Sequence, residues 1–239
     1  MAFETFRQLM RGFQGKFSSA DSSMIQNTQQ AAFMRQIQKE LKKENAIFVP
    51  LEQLNVVVFD IETTGFFPEN GDQILSIGAV RVVEGEVRDE EVFYSVVHYE
   101  GGLSEEIEKL TGLTSAQLRE ARPLSDVLVE FLSFVKDDTL VAHHAQHEKS
   151  FLQNALWKLF RTPFKHRIVD TSFLYRIAEP GLSSSKLEEL CVHNQIAVLN
   201  RHHALGDAIL AAKLWCVYVN KIKHICRNLS EVYECLAKL

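Results

Sequence analysis

Two acidic residues stand one residue apart where an apolar run ends. Residues 56–59 read Val-Val-Val-Phe, and Asp60 and Glu62 follow them. Because successive side chains of a strand point to opposite faces, Asp60 and Glu62 face the same way. Two neighbouring carboxylates repel each other unless a cation or a shared proton lies between them. The pattern therefore predicts a strand that ends at a site for a hard divalent cation, Mg²⁺ or Mn²⁺.

The three residues that follow this pair are suited to contact a ligand. Thr63 and Thr64 carry hydroxyl groups, and Gly65 allows a bend at which the backbone can approach a bound molecule closely. We therefore predict that Thr63, Thr64 and Gly65 bind substrate.

A second segment with titratable side chains covers residues 141–148, which read as a strand running into a helix. Glu148 is predicted to be a further metal ligand. The alternative is a solvated glutamate, which is favourable in the first turn of a helix. His144 and His147 are either substrate contacts or exposed loop residues. His143 is predicted to be structural, through a hydrogen bond across the end of the sheet.

A third segment, residues 202–207, opens the longest helix predicted for the main domain. It contains His202, His203 and Asp207. Together the three segments supply four carboxylates and at least one imidazole, which is the inventory of two-metal phosphodiester cleavage. A nearby histidine can take the proton of the attacking water. His202 can lean over the site, and spacing alone does not exclude its neighbour His203.

The elements that must position these residues are predicted from residue 54 onward. After the first strand, residues 73–83 and 87–97 read as strands with a hairpin-like link between them. Later segments alternate between the two types, with helices predicted at 105–110, 123–135, 148–160, 185–194, 203–222 and 229–239, and strands at 139–142 and 168–169. This order predicts an α/β fold whose mixed sheet is covered by helices on both faces.

The first 48 residues differ from the rest in charge. They hold seven Lys or Arg against four Asp or Glu, whereas the whole chain carries −5. Residues 18–23 predict a flexible break, and residues 29–45 a basic amphipathic helix with Phe33, Ile37 and Leu41 on one side. Such a helix could contact nucleic acid, a partner protein or an acidic surface, or it could pack loosely on the domain.

The predicted division is an N-terminal extension over residues 1–48, a main domain over 54–222 and a C-terminal helix over 223–239.

Composition argues against several classes of protein. A net charge of −5 argues against a strongly basic nucleic-acid coat protein, although an acidic site neutralised by bound metal remains compatible with it. No apolar run approaches the ~20 residues of a membrane helix, and the first residues lack the apolar core of a signal peptide, so we expect a cytoplasmic location. The four cysteines are expected to be reduced thiols. A zinc site built from Cys191, His193, His224 and Cys226 would match no standard spacing.

The three segments, taken in order, resemble the motifs of the DEDDh 3′→5′ exonucleases, a family that includes the proofreading subunit of bacterial DNA polymerase III. Residues 60–65, Asp-Ile-Glu-Thr-Thr-Gly, match the first motif together with residues 77–80, Ile-Gly-Ala-Val. Residues 110–114 resemble the family's substrate-side turn, and Asp170-Thr171 its later aspartate-threonine step. Residues 202–207 fit its H-x₄-D motif. The resemblance spans residues 55–220 in a consistent order.

The resemblance implies an RNase H-like five-stranded sheet and hydrolysis of single-stranded 3′ ends to nucleoside monophosphates, with DNA favoured over RNA. It also implies two Mg²⁺ or Mn²⁺ ions, with Asp60 bridging both, Glu62 and Asp207 on the catalytic ion, and His202 as general base. The implied partner is a nucleic-acid 3′ end. A polymerase or repair protein could dock through the N-terminal helix, and any proofreading is expected to act in trans.

The second segment departs from the family pattern H-N-x-x-F-D. His144 stands in place of the asparagine, His147 in place of the phenylalanine, and Glu148 in place of the metal-binding aspartate. Glu148 keeps the charge on a side chain one methylene longer, whereas His147 is a smaller, titratable ring. We therefore expect an active but altered exonuclease. The alternatives are a weakened protein that grips 3′ ends on the same fold and a regulatory protein that docks a partner.

Overall fold

The computed structural model of the protein describes residues 19–41 and 46–239. Its five strands are β1 (Val56–Thr63), β2 (Ile74–Val83), β3 (Glu86–Val96), β4 (Thr139–Ala142) and β5 (Ile168–Asp170). They form one sheet in the order β3-β2-β1-β4-β5. β2 is antiparallel to both of its neighbours, whereas β1, β4 and β5 are parallel to one another. The predicted mixed five-stranded sheet is confirmed.

Helices cover both faces of this sheet, as predicted. In the described part of the chain the helices are α1 (Ser19–Glu40), α2 (Glu105–Thr111), α3 (Ser115–Glu120), α4 (Leu124–Val135), α5 (Gln146–Phe160), α6 (Ser172–Ala178), α7 (Leu187–His193), α8 (Ala204–Ile222) and α9 (Leu229–Leu236). One apolar cluster packs α1, α4 and α5 against one face of the sheet. Another packs α6, α7, α8 and α9 against the other face. None of these described helices is long and apolar enough to span a membrane.

The central strand β1 explains why the first motif begins with an unbroken apolar run. Val57 and Phe59 point into the cluster under α4 and α5, whereas Val56 and Val58 point into the cluster under α8. A strand buried on both faces requires apolar side chains at every position. Asp60 and Glu62 continue the alternation of Val56 and Val58, so they emerge on the α8 side of the sheet.

The predicted hairpin joins β2 to β3. Val83 pairs with Glu86, which leaves Glu84 and Gly85 as a two-residue loop. Both loop residues have positive φ, at 53° and 75°. Two residues of positive φ match the right-handed twist of the flanking strands, which is why this short link closes the hairpin.

The N-terminal helix was placed wrongly from the sequence. Helix α1 runs from Ser19 to Glu40, so the flexible break predicted over residues 18–23 is helical from residue 19 onward, and the helix stops before residue 45. Residues 1–18 of the predicted extension, and residues 42–45, lie outside the described residues. The predicted break failed because small polar residues disfavour a helix only weakly, and packing of the next turns overrides that preference.

Helix α1 is also firmly joined to the domain. Phe33, Met34 and Ile37 are buried in the same core cluster as α4 and α5. Gln38 reinforces the contact: its Oε1 accepts from the Lys165 backbone N–H at 2.6 Å, and its Nε2 lies 3.2 Å from a ring nitrogen of His166. The loosely packed helix considered above is therefore not what the structure shows.

Two short helices were missed by the sequence patterns. Helix α3 spans six residues and is started by a capping box between Thr114 and Gln117. Helix α6 spans seven residues and follows β5 directly. Neither is long enough to display a clear apolar period, which needs about 11 residues or more.

Candidate active site

Three of the predicted acidic residues meet at one point. Ligand atoms of Asp60, Glu62 and Asp207 all lie within 4.8 Å of one another. Asp60 and Glu62 are half-buried at the end of β1, and Asp207 is buried in the first turn of α8. Among the described residues this is the one group of three or more potential metal ligands. The Cys and His residues of the zinc alternative therefore do not assemble, and His193 instead lies 2.8 Å from Glu179.

A missing side chain lets α8 approach the sheet here. Asp60 on β1 pairs with Gly78 on β2, and Gly78 pairs with Tyr94 on β3. A Cβ atom on Gly78 would overlap the backbone of Ala204 and Leu205 at the start of α8. The helix therefore begins in the notch above Gly78, and this placement brings Asp207 to Asp60.

Crowding of acids changes their protonation. Burial, then the charges of Glu148, Glu62 and Asp207, raise the pKa of Asp60 well above its usual range. Burial, followed by the charge of Asp207, raises the pKa of Glu62 to about 7. Both shifts have the direction expected for carboxylates held together without enough positive charge between them.

Arg201, which sequence reasoning overlooked, supplies positive charge beside this cluster. Its Nη1 donates to Asp207 Oδ2, and its Nε lies 3.4 Å from Glu188 Oε2. The charge of Arg201 also lowers the pKa of Asp60 and of Glu62, against the larger effects that raise both values. Its place directly before His202 in the sequence was the signal that could have singled it out.

Glu148 lies near the triad but outside its tightest group. It is 3% exposed, and its Oε2 has no hydrogen-bond partner in the described structure. Burial is the main cause that raises the pKa of Glu148 to about 8. A solvated glutamate, the alternative above, would be exposed and would keep an ordinary pKa. The structure therefore excludes that alternative.

Asp170 positions the start of α5 and hence Glu148. Its Oδ2 accepts from the Ala145 backbone N–H at 2.9 Å, and its Oδ1 accepts from the Ser172 backbone N–H at 2.8 Å. One carboxylate therefore joins the beginnings of α5 and α6, next to the end of β5. Negative charge near the N-terminal ends of helices is favourable.

The two histidines before α8 have different surroundings. The ring of His203 is engaged: its Nδ1 accepts from the Gly206 N–H at 3.4 Å, and it stacks on Tyr94 with 4.4 Å between centroids. The backbone N–H of His202 donates to Asp207 Oδ2 at 3.2 Å. The ring of His202 is half-buried and has no hydrogen bond among the described residues. Tyr94 was not predicted to lie here.

His143 is structural, as predicted. Its Nε2 donates to the Ser185 carbonyl at 2.7 Å, so its Nδ1 accepts from the Thr171 hydroxyl at 2.8 Å. Burial lowers the pKa of His143 to about 4, which keeps the ring neutral. His144 Nε2 donates to the same carbonyl at 3.0 Å. The backbone of His144 has a φ of 62°, a conformation that asparagine and histidine adopt more readily than most residues.

His147 lies at the mouth of the site among aromatic rings. Its ring centroid is 5.8 Å from that of Phe66 and 4.9 Å from that of Phe151, and its Nε2 is 3.5 Å from Thr63 Oγ1. Phe66 is 76% exposed. A largely exposed ring next to a metal-ligand cluster offers a face on which a base can stack.

The Thr-Thr-Gly segment is tied into its own loop. Thr63 Oγ1 donates to the Gly65 carbonyl at 2.7 Å, and Thr64 Oγ1 donates to Asp72 Oδ1 at 3.2 Å. Asp72 Oδ2 also accepts from the Phe67 N–H at 2.9 Å. Both hydroxyl hydrogens are therefore used within the loop, and the role of these residues in substrate binding stays a prediction.

The part of the chain that contains these site residues is similar to known proteins. A family model described as exonuclease matches residues 57–215. The chain belongs to the exonuclease family. The predicted resemblance to the DEDDh exonucleases is thereby confirmed at the level of the family.

Curated relatives of this exonuclease-family chain are longer proteins. It is 34% identical over 182 residues to the PolC-type DNA polymerase III of Clostridium perfringens, a match covering 74% of this chain and 12% of the relative. It is 32% identical over 166 residues to a DNA polymerase III subunit epsilon-like protein of Rhodobacter capsulatus, covering 69% and 23%. The chain therefore spans about an eighth to a quarter of these relatives.

Solved structures of exonucleases share the fold. The nuclease domain of 3′hExo, a DEDDh family member bound to rAMP, has a TM-score of 0.61 at 21% identity, covering 73% of this chain and 94% of that one. Exonuclease I of E. coli in complex with a dT13 oligonucleotide has a TM-score of 0.62 at 16% identity, covering 72% and 42%. These likenesses confirm the predicted RNase H-like architecture.

Proposed function

We propose that this chain is a metal-dependent 3′→5′ exonuclease that hydrolyses single-stranded nucleic acid, DNA in preference to RNA, to nucleoside monophosphates. The observation that carries the proposal is the group of Asp60, Glu62 and Asp207 within 4.8 Å at the junction of β1 and α8. Carboxylates held this closely repel one another and lower the stability of the fold unless a cation binds among them.

The donor set suits two hard divalent cations. All donors are carboxylate oxygens, and both Asp207 Oδ1 and Glu148 Oε2 are buried without a partner among the described residues. We propose that Asp60, Glu62, Asp207 and Glu148 would hold the Mg²⁺ or Mn²⁺ ions, with Glu62 and Asp207 serving the catalytic ion, Glu148 the second ion, and Asp60 serving both. When bound, such ions lower the pKa of water and stabilise charge on a leaving oxygen.

His202 is the proposed general base. In the reaction, the oxygen of water bonds to the terminal phosphorus while the bond from phosphorus to the preceding 3′ oxygen breaks. His202 takes the proton of that water, and the leaving 3′ oxygen gains a proton from solvent. The assignment is supported by two observations: the His202 backbone N–H donates to Asp207, and the His202 ring has no hydrogen bond among the described residues, whereas the ring of His203 caps α8 and stacks on Tyr94.

An end-labelled substrate tests the proposal directly. Single-stranded DNA and RNA with a 5′ label should shorten one nucleotide at a time with Mg²⁺ or Mn²⁺, and DNA should shorten faster. Asp60→Asn and His202→Ala should each reduce the rate about 10²-fold or more. His203→Ala, which alters the adjacent ring, is the comparison for His202. No shortening with either metal at high enzyme concentration would overturn the proposal.

A weakened, 3′-end-binding protein is the second candidate, and the position of Glu148 favours it. Glu148 lies outside the 4.8 Å group, so the second ion could be held poorly.

We expect Glu148→Asp to retain activity within about fivefold or to exceed the parent, and Glu148→Ala to lose about 10²-fold. Matched single-turnover rates check this. If Glu148→Ala were as active as the parent, Glu148 would not be a ligand.

Partner and location also remain proposals. The names of the curated relatives, a PolC-type DNA polymerase III and a DNA polymerase III subunit epsilon-like protein, support a role with a DNA polymerase. A partner contact through α1 would have to use its exposed side, which includes Arg35 and Lys39, because Phe33, Met34 and Ile37 face the core. The cytoplasmic location stays a prediction.

A further inference from the structure

An exposed stripe of α5 leads away from the site. His147 lies at the mouth, Asn154, Trp157 and Lys158 follow at helical spacing on the solvent side, and the exposed Arg161 comes directly after the end of the helix. We name the last four residues the α5 track. Residues at such spacings share one face of a helix. At 1.5 Å per residue, the track extends about 15–20 Å from His147.

The composition of the track departs from that of the chain. Trp157 is 56% exposed, although burying a tryptophan in a core would remove far more apolar area from water. The only acidic residue of α5 is Glu148, which is buried. Lys158 and Arg161 therefore give the exposed side of this helix positive charge, in a protein whose net charge is −5.

The track is continuous with the aromatic mouth of the site. Lys158 Nζ donates to the Pro68 carbonyl at 3.4 Å, so it lies beside the turn that follows Phe66 and Phe67. Both phenylalanines are largely exposed, at 76% and 56%. Glu69 on the same turn is the exposed acid nearest in sequence to this contact. Exposed rings alternating with basic groups are the pattern by which proteins hold single strands without reading sequence.

We infer that the α5 track binds the strand of a single-stranded nucleic acid upstream of its 3′ end, with a base stacked on Trp157 and phosphates near Lys158 and Arg161. The inference rests on the proposed function, because it takes the 3′ end to lie at Asp60 and His147. At 3.4 Å for each stacked nucleotide, the roughly 15 Å from His147 to Trp157 corresponds to about four to five nucleotides, so a stacked trinucleotide would not reach Trp157.

Trp157 makes the inference directly measurable. The other tryptophan, Trp215, is 1% exposed in the core, so a base that stacks on the protein surface can quench only Trp157. In the full chain carrying Asp60→Asn, which is expected to leave the oligonucleotide intact, we expect oligothymidylate of twelve nucleotides to quench the tryptophan emission. The trinucleotide should bind without quenching.

Substitutions identify the contacts. Anisotropy of labelled dT12 should show about 5- to 100-fold weaker binding for Trp157→Ala. The pair Lys158→Gln and Arg161→Gln should reduce the slope of log affinity against log salt by about 1.4. Leu159→Ala is the matched control, since Leu159 is 44% exposed on the same helix but turned away from the track. It should bind dT12 like the parent. Trp157→Ala should unfold within about 2 °C of the parent, because an exposed ring contributes little to stability.

The outcomes separate this inference from the proposed function. If dT12 failed to quench Trp157 and Trp157→Ala bound dT12 as tightly as the parent, the track would be wrong even if the chain degrades DNA. If dT12 quenched Trp157 while the chain carrying Asp60 never shortened it, the track would stand and the exonuclease proposal would fail.

Discussion

The two carboxylate oxygens of Asp207 have different surroundings. Oδ2 accepts from Arg201 and from the His202 backbone, whereas Oδ1 is buried without a partner among the described residues. An unpaired buried oxygen costs free energy that a bound cation would recover. Arg201 therefore acts as the internal counter-charge of a site that otherwise contains acids.

We predict that Arg201→Gln enlarges the stabilisation by metal. Without metal, losing the partner of a buried carboxylate should lower the free energy of unfolding by about 2–3 kcal/mol. With Mn²⁺ bound the loss should be smaller, because the ion neutralises the same acids. The measurement is the rise in Tm on adding Mn²⁺, which should exceed that of the parent.

Arg122→Gln is the matched control for this prediction. Arg122 pairs with Glu130 at 2.6 Å on the surface, where both side chains are about half exposed, so its loss should cost 1 kcal/mol or less and leave the Mn²⁺ effect unchanged. If Arg201→Gln lowered Tm by the same amount with and without Mn²⁺, Arg201 would stabilise the fold only by packing and not as a counter-charge.

The raised pKa values predict an unusual pH dependence. Glu62 and Glu148 have pKa values near 7 and 8 in the folded chain, against an ordinary 4.5. Between pH 4.5 and the raised pKa of each group, the folded chain binds more protons than the unfolded chain. The free energy of unfolding must therefore fall as pH rises through this range. In EDTA, the free energy of unfolding should decrease from pH 5 to pH 8.5 by on the order of 2 kcal/mol for each group.

Denaturant titrations at several pH values check this slope. Glu62→Gln should flatten it up to about pH 7, and Glu148→Gln up to about pH 8. Glu106→Gln removes an exposed acid on α2 and serves as the control for the loss of one charge. Saturating Mg²⁺ should reverse the trend, because cations bind deprotonated carboxylates. A flat profile in EDTA would contradict the crowding of acids described here.

At the scale of elements, the site depends on how closely α8 approaches β2. We predict that Gly78→Ala lowers the free energy of unfolding by about 1–3 kcal/mol, because the added methyl overlaps the backbone of Ala204 and Leu205. It should also reduce nuclease activity about tenfold or more, since Asp207 moves with α8. Chemical denaturation and initial rates measure the two effects.

Gly181→Ala is the control, because a Cβ at Gly181 would meet nothing within 4 Å. It should change stability by 0.5 kcal/mol or less. If Gly78→Ala were equally harmless, α8 would not be seated in the notch above Gly78.

Helices and strands with strong periodic patterns were predictable from the sequence. Once they were placed, the acidic residues and histidines at their ends could be placed too. The places of the strands along the chain, the alternation of Asp60 and Glu62, and the position of Asp207 at the start of α8 all derive from local patterns and motif order. Tyr94 could not be found in this way, and Arg201 could be found only as the neighbour of His202, not as the partner of Asp207. Their places depend on which backbone conformation precedes α8 and which residue of β3 pairs across Gly78, and neither is encoded in residue spacing.

The N-terminal region shows a different limit of sequence reasoning. Phe33 and Ile37 were correctly placed on one side of a helix, but a periodic pattern does not reveal what that side covers. The structure buries both residues, with Met34, in the cluster that contains Phe131 and Leu152. An amphipathic helix at a terminus is therefore not by itself a sign of a partner protein.

At the scale of the whole molecule, α1 is predicted to be required for stability. Met34→Ala should lower the free energy of unfolding by about 2–5 kcal/mol, because Met34 is fully buried. Deletion of residues 1–41 removes Phe33, Met34 and Ile37 together, and it should yield a chain that aggregates or melts far below the parent. Calorimetry and solubility measure these effects.

Lys39→Ala, on the exposed side of the same helix, should leave Tm within about 2 °C of the parent. A deletion variant with the parent's Tm would show that α1 is dispensable. Such a result would return the N-terminal helix to the role of a separate docking segment.

The row of Asp60, Gly78 and Tyr94 across three strands has a consequence for how the site meets its ligands. Helix α8 touches β2 through backbone at Gly78, and backbone in paired strands and helices has no rotamers to adjust. The separation between Asp60 and Asp207 is therefore set when the chain folds rather than when a ligand arrives. The site is preorganised, so little reorganisation energy should be spent in catalysis. The repulsion among its acidic side chains therefore lowers the stability of the whole fold.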